Sequence, residues 1–206
     1  VLHLEECRTV VNTTLLGLGN AANLREDTAI QWADVKRHSL LGAGTFGQVW
    51  LASIPRPNKA IGTNNEEDKE KSSSDEPKRQ MVALKVQSKY QVIESGAASR
   101  VVAERNILSS LKSPFLLELL HAFQDESLLY MITSVAQGGE LESLIPDDGF
   151  CEATAKFYSA AILEALSWMH RRHLIHRDIK PQNVLINSSG YPVLIDFGFA
   201  KYVPGK

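Results

Sequence analysis

His176-Arg177-Asp178-Ile179-Lys180-Pro181-Gln182-Asn183, followed by Asp196-Phe197-Gly198, brings a candidate base, a cation and two oxygen ligands into one short segment. Asp178 can accept a proton from an attacking hydroxyl. Lys180 can sit beside a transferred phosphate, and Asn183 with Asp196 can hold Mg²⁺ through hard oxygen donors. The chemistry to which this set points is phosphoryl transfer. Eight ordered positions with a second motif in the proper place rarely coincide by chance.

Upstream, Leu41-Gly42-Ala43-Gly44-Thr45-Phe46-Gly47-Gln48-Val49 carries G-x-G-x-x-G followed by Val. Glycines let the backbone lie close over phosphates and offer amide hydrogens to them. Alone the pattern is weak, because dinucleotide-binding folds share it and a Gly-rich turn can be only a turn. In those folds the third glycine opens a helix, whereas Gln48-Val49-Trp50-Leu51 reads as strand. Val82-Ala83-Leu84-Lys85 places an ammonium group on a further strand, where it can meet nucleotide phosphates and a carboxylate from the next helix. Glu104 is the natural partner, since Leu108 and Leu111 at helical spacing turn its face to the sheet. An exposed strand lysine is the alternative.

The apolar pattern organises the rest. Strands are expected over 39–41, 48–53 and 81–87, and two more, 116–123 and 128–135, flank the polar turn 124–127. Helices are expected over 97–111, stopped by Pro114, and over 152–171, with Phe157, Ala161, Ile162, Ala165, Trp168 and Met169 on one face. Short strands are expected at 183–186 and 193–195. Residues 55–80, rich in Pro, Asn, Ser and charge, read as a disordered insertion and a solvated loop. A short strand over 1–6, a helix over 7–18 and a linker to about residue 28 are expected ahead of a new unit beginning near Ile30.

With 206 residues, 44% hydrophobic and 22% charged, the composition is that of a globular chain with a real core. A net charge of -2 argues against a nucleic-acid partner. Cys7 and Cys151 are too few for a disulfide framework or a cysteine zinc site and fit a reducing cytoplasm. No run reaches the length of a membrane span, and Val1-Leu2-His3-Leu4 lacks both an initiator Met and a signal-peptide pattern. His170, His173 and His176 recur every third residue, a spacing at which imidazoles can converge on zinc. No Cys or carboxylate stands at ligand spacing beside them.

The catalytic segment, the Gly-rich loop and the strand lysine, in this order, resemble eukaryotic protein kinases. Asp196-Phe197-Gly198-Phe199-Ala200-Lys201, Gly138-Gly139-Glu140-Leu141 and Ser113-Pro114-Phe115-Leu116 look like the AGC group of serine/threonine kinases. Cyclic-nucleotide-dependent members are nearest, and the start of the chain looks like the end of a cyclic-nucleotide-binding barrel, as in cGMP-dependent protein kinases. The resemblance implies an α+β bilobal fold with a five-stranded antiparallel small-lobe sheet, a helix against it and an incomplete helical large lobe. Residues 1–29 would end an upstream domain and linker, 30–136 form the small lobe with the insertion 55–80, and 137–206 part of the large lobe.

By the same resemblance the substrates are ATP, with Mg²⁺, and protein Ser/Thr hydroxyls, and regulation comes by cyclic nucleotide through upstream domains. Asp178, Lys180, Lys85 and Glu104 would be catalytic, and Asn183 and Asp196 the metal ligands. Leu41 to Val49 would bind the nucleotide, with Gly42 to Gly47 covering its phosphates. Val49, Ala83 and Leu185 would sandwich adenine, Ser134 and Ala136 would meet its edge, Thr133 would be the gatekeeper, and Glu140 would reach the ribose and a basic substrate residue. His176, Phe197, Leu108 and Leu119 would stack between the lobes. Gln182 stands where the family commonly has Glu, which weakens charge-based recognition of substrate arginine. The chain is expected to be an excerpt, nearly inactive alone, and the second reading is an inactive fragment or pseudokinase that binds nucleotide or a partner protein.

Overall fold

The computed structural model describes residues 30–56 and 78–204. The expected strand, helix, linker and barrel end within 1–29, and most of the insertion, lie outside the described residues. Strands β1 (Lys36–Gly44), β2 (Gly47–Pro55), β3 (Arg79–Ser88), β4 (Leu119–Gln124) and β5 (Leu128–Thr133) form one antiparallel sheet in the order β1-β2-β3-β5-β4. Alternation along a strand gives this sheet two working faces. On one, Val82 and Leu84 of β3 are fully buried with Ala52, Ile54, Tyr130 and Ile132. Ala83 and Lys85 occupy the other.

The first face is covered from the chain segment before β1. Trp32, in the 3-10 turn Trp32–Asp34, rests on Tyr130 with ring centroids 4.8 Å apart. The Arg37 guanidinium lies over both Trp32 and Trp50, at 5.6 and 5.2 Å. Arg79 donates to the carbonyls of Asp34 and Ser53 and to Ser53 Oγ. Arg79 and Gln80 therefore belong to β3 and Pro55 to β2, which corrects the expected extent of the insertion. Low hydrophobicity concealed Arg79 because its fixing contacts are polar.

The second face meets helix α2 (Ala98–Ser110), entered through the short helix α1 (Lys89–Glu94). Ile107, Leu108 and Leu111 pack with Leu119 and Met131 of the sheet and with Phe197, Leu174, Val184 and Leu194 of the other lobe, so one core spans both. Helix α3 (Glu152–His170) closes that core with Ala165 and Met169. Two ladders complete the large-lobe part: β6 (Leu174–Ile175) with β9 (Lys201–Tyr202), and β7 (Val184–Ile186) with β8 (Pro192–Leu194).

Several boundaries differ from expectation. β1 runs on through Gly42 and Gly44, with register shifts at Arg37/Leu40 and Leu40/Gly42, so the expected loop 42–47 narrows to a turn at Thr45 and Phe46. The run 116–123 enters the sheet only at Leu119, Leu116 making a lone parallel bridge to Leu194, and β5 ends at Thr133. The α3 face is narrower than its pattern, for Phe157 is 44% exposed. No helix among the described residues is long and apolar enough to cross a membrane.

Gly47 sits where β2 crosses closest to β3. A Cβ there would lie 1.8 Å from the Val86 carbonyl oxygen, whereas one at Gly42 would meet nothing within 4 Å. Gly47→Ala is expected to lower stability by about 2 kcal/mol and Gly42→Ala to leave it nearly unchanged, as read from chemical denaturation midpoints.

Candidate active site

Lys85 projects from the middle of β3, opposite Val49 on β2 and Met131 on β5. Its Nζ donates to Glu104 Oε1 at 2.6 Å, and the Glu104 side chain is 9% exposed against 33% for Lys85. α2 thus delivers a buried carboxylate to a half-open ammonium, as its spacing to Leu108 and Leu111 predicts. Ala83, two residues earlier on the same face, stands opposite Leu51 and Thr133. Thr133 is buried at the end of β5.

After β5 the chain crosses to the large lobe. Ser134 gives its amide hydrogen to the Glu118 carbonyl at 2.9 Å. Among the described residues the Ser134 carbonyl and the Ala136 amide have no backbone partner, which leaves one acceptor and one donor at the edge of the cleft. A cavity of about 190 Å³ lies against the same segment, walled by Pro114, Leu116, Glu118 and Val193, and contains none of Lys85, Asp178 and Asp196. Gly138 to Leu141 then runs along β7: Gly138 N donates to Ile186 O, Ile186 N to Gly139 O, and Leu141 N to Val184 O. Glu140 is bridged to Leu185 by this ladder. A Cβ at Gly138 would lie 2.8 Å from Ile186 O, so only glycine allows the approach.

The loop between β6 and β7 carries the second group. Lys180 Nζ lies 3.0 Å from Asp178 Oδ2. Asn183 Nδ2 donates to both the backbone oxygen and Oδ2 of Asp178 at 2.8 Å, which turns its own Oδ1 away as a hard acceptor. These contacts hold the Asp178 carboxyl below the usual carboxylate range, first through Lys180 and then through Asn183. Ile195 N donates to Asn183 O, so Asp196 follows one residue after a backbone bond to Asn183, past the end of the β7–β8 ladder. Asp196 adopts φ 58° and accepts from Gly198 N at 3.1 Å.

His176 is 2% exposed and packs edge-on against Phe197, centroids 5.2 Å apart. Its Nδ1 accepts from Asp178 N at 3.3 Å, so Nε2 carries the hydrogen and donates to Ile195 O at 3.1 Å. Burial keeps this imidazole below its ordinary pKa, and a neutral ring suits both bonds. Leu108, Leu119 and Phe197 lie in the core shared by the lobes. The two polar groups, Lys85 with Glu104 and Asp178 with Lys180 and Asn183, are joined to each other by no hydrogen bond among the described residues. The Gly-rich turn stands apart, with Leu41, Gly42, Ala43 and Gly44 exposed on β1, and Phe46 O accepts from Ser88 N at 2.9 Å.

Two features escaped the sequence reading. Gln182 donates its amide to Glu142 Oε1, so the substituted position is tied to a carboxylate two residues beyond Glu140. Arg177, at φ 70°, donates through Nε to Phe199 O at 2.6 Å. Neither is visible in a motif, because each joins segments far apart in the chain.

The protein kinase domain family model matches residues 71–206. The Gly-rich turn precedes that match. The cGMP-dependent protein kinase egl-4 of Caenorhabditis elegans is 35% identical over 181 residues, covering 87% of this chain and 21% of its own length. cGMP-dependent protein kinase 2 of Homo sapiens is 35% identical over 164 residues, 79% of this chain and 19% of its own length. The cGMP-dependent protein kinase of Plasmodium berghei is 31% identical over 182 residues, 88% of this chain and 19% of its own length. The chain therefore spans about a fifth of the length of these curated relatives.

Because the Asp178 carboxyl is depressed, its contribution to stability is complete above the unfolded-state value of about 3.9 and is lost as pH falls through the lower folded-state value. Lys180→Met is expected to raise the Asp178 titration midpoint, followed by carboxyl chemical shift against pH. An unmoved midpoint would show that Lys180 does not set it.

Proposed function

The chain belongs to the protein kinase domain family, and from that premise we propose that its protein is a serine/threonine kinase transferring the ATP γ-phosphoryl group to a protein hydroxyl. The observation that carries this reading is the Asp178 carboxylate, kept ionised by Lys180 and Asn183 and backed by the buried His176 ring. An acceptor hydroxyl can donate to Asp178 as its oxygen attacks phosphorus, and Lys180 offsets charge on the group in transit. Lys85, steadied by Glu104, orients the phosphates, and the turn from Gly42 to Gly47 covers them. The open acceptor and donor at Ser134 and Ala136 suit the edge of adenine, with Val49, Ala83 and Leu185 on its faces, Thr133 behind it and Glu140 toward the ribose.

The donor set fits a hard divalent ion: Asn183 Oδ1 is left free by the amide's own bonds, and Asp196 supplies a carboxylate one residue past Ile195, whose amide bonds the Asn183 carbonyl. Mg²⁺ bound there would neutralise charge on the phosphate oxygens. Control by cyclic nucleotide is proposed from the relatives' names and from the resemblance of the chain's first residues to the end of a nucleotide-binding barrel. A cytoplasmic location accords with the sparse cysteines. Gln182, bound to Glu142, supports only a modest preference for basic acceptors.

Asp178→Asn is expected to lower the rate of phosphate transfer to a Ser/Thr peptide by about 10²- to 10⁴-fold, with nucleotide binding retained. Radiolabel transfer and calorimetric titration with nucleotide would measure the two. Equal transfer by the variant would overturn the assignment, and nucleotide binding with no transfer in either protein would favour a binding module.

A further inference from the structure

We propose that the Tyr202 hydroxyl is a positioning group for this site, fixing the C-terminal end of α2 to the segment that follows Asp196-Phe197-Gly198; the role rests on the kinase reading above. Tyr202 OH lies 3.0 Å from Ser110 Oγ. Ser110 spends its own hydrogen on the Ile107 carbonyl at 2.7 Å, so Tyr202 must be the donor. Ser110 is the last residue of α2, the helix that carries Glu104.

The other end of this bond is rigidly placed. Tyr202 pairs with Leu174 in the β6–β9 ladder, and the next residue, Val203, donates its amide to His173 O at 2.7 Å. β6 leads directly to His176 and Asp178, so the hydroxyl connects α2 to the strand from which the catalytic loop departs. The first turn of α2 has its own contact with this segment, the Arg100 guanidinium 5.6 Å over the Phe199 ring. Glu104 lies between these two attachments. The intervening contacts of Ile107 and Leu108 are apolar and non-directional. Apolar burial turns Glu104 inward, and the directional bond at the helix end then limits the remaining freedom of α2 to rotate, which steadies the reach of Glu104 to Lys85.

Tyr202 is 49% exposed, so removing its hydroxyl opens no cavity and Tyr202→Phe should fold normally. The test compares Tyr202→Phe, Ser110→Ala, the double variant and Ser110→Thr, which keeps an acceptor oxygen. Amide hydrogen exchange in the last turn of α2 reads the helix without reference to catalysis, and kcat against KM for ATP reads the site. Each single variant is expected to speed that exchange and lower kcat by about three- to tenfold, the worth of one neutral hydrogen bond. The double variant should be no worse than either single one, and Ser110→Thr should behave as the unmutated protein. Unchanged exchange in Tyr202→Phe, or single effects that add in the double variant, would overturn the proposal. Faster exchange in a protein whose unmutated form transfers no phosphate would uphold control of α2 and remove only the phosphoryl-transfer reading.

Discussion

The Lys85–Glu104 pair is the constraint to which the other parts refer, since it is the one ion pair among the described residues that joins the sheet to a helix. Its geometry requires β3 to present Lys85 on the face opposite Val82 and Leu84, and α2 to turn Glu104 inward beside Leu108. Both requirements are met by apolar burial. With the Lys85 side chain a third exposed, solvent screens the pair and its worth to stability is modest. What the charges contribute is thus a fixed ammonium at the mouth of a cleft.

The second half of the site depends on backbone conformations that side chains rarely adopt. His173, Arg177 and Asp196 all have positive φ, at 57, 70 and 58°. Such positions persist only where the surroundings over-determine them. Here each has such a partner: Val203 N bonds the His173 carbonyl, Arg177 reaches Phe199 O, and Asp196 accepts from Gly198 N. The buried ring of Phe197 follows Asp196 in the chain and packs against His176, so the core that unites the lobes also holds the strained turns in place.

Most of the sheet was legible in the sequence because β3 alternates, β5 is a continuous apolar run and the breaks at Pro114 and Gly138 are sharp. The site residues were legible because Asp178, Lys180, Asn183 and Asp196 fall in one contiguous stretch. What escaped was held by polar or distant contacts. α1 is only six residues long, starts on the Ser88 cap and buries Lys89 through a bond to the Asp125 carbonyl, none of which has an apolar period. β6 and β9 are two residues each and exist only through their mutual pairing. In α2 the burial of Glu104 and Arg105 breaks the amphipathic pattern set by Val101, Ile107 and Leu108. Leu163, apolar on α3 yet 65% exposed, shows that composition cannot say which side of a helix finds a neighbour.

Among the described residues the strand that ends in the Gly-rich turn is also an outer edge of the sheet, and all nine of its residues are exposed. An open edge of this length is a template on which a second chain could stack and aggregate. β1 opposes this with the basic run Lys36-Arg37-His38 and two shifts of register, which spoil a continuous row of hydrogen-bonding groups. The irregular register of the strand that leads into the Gly-rich turn thus also guards solubility.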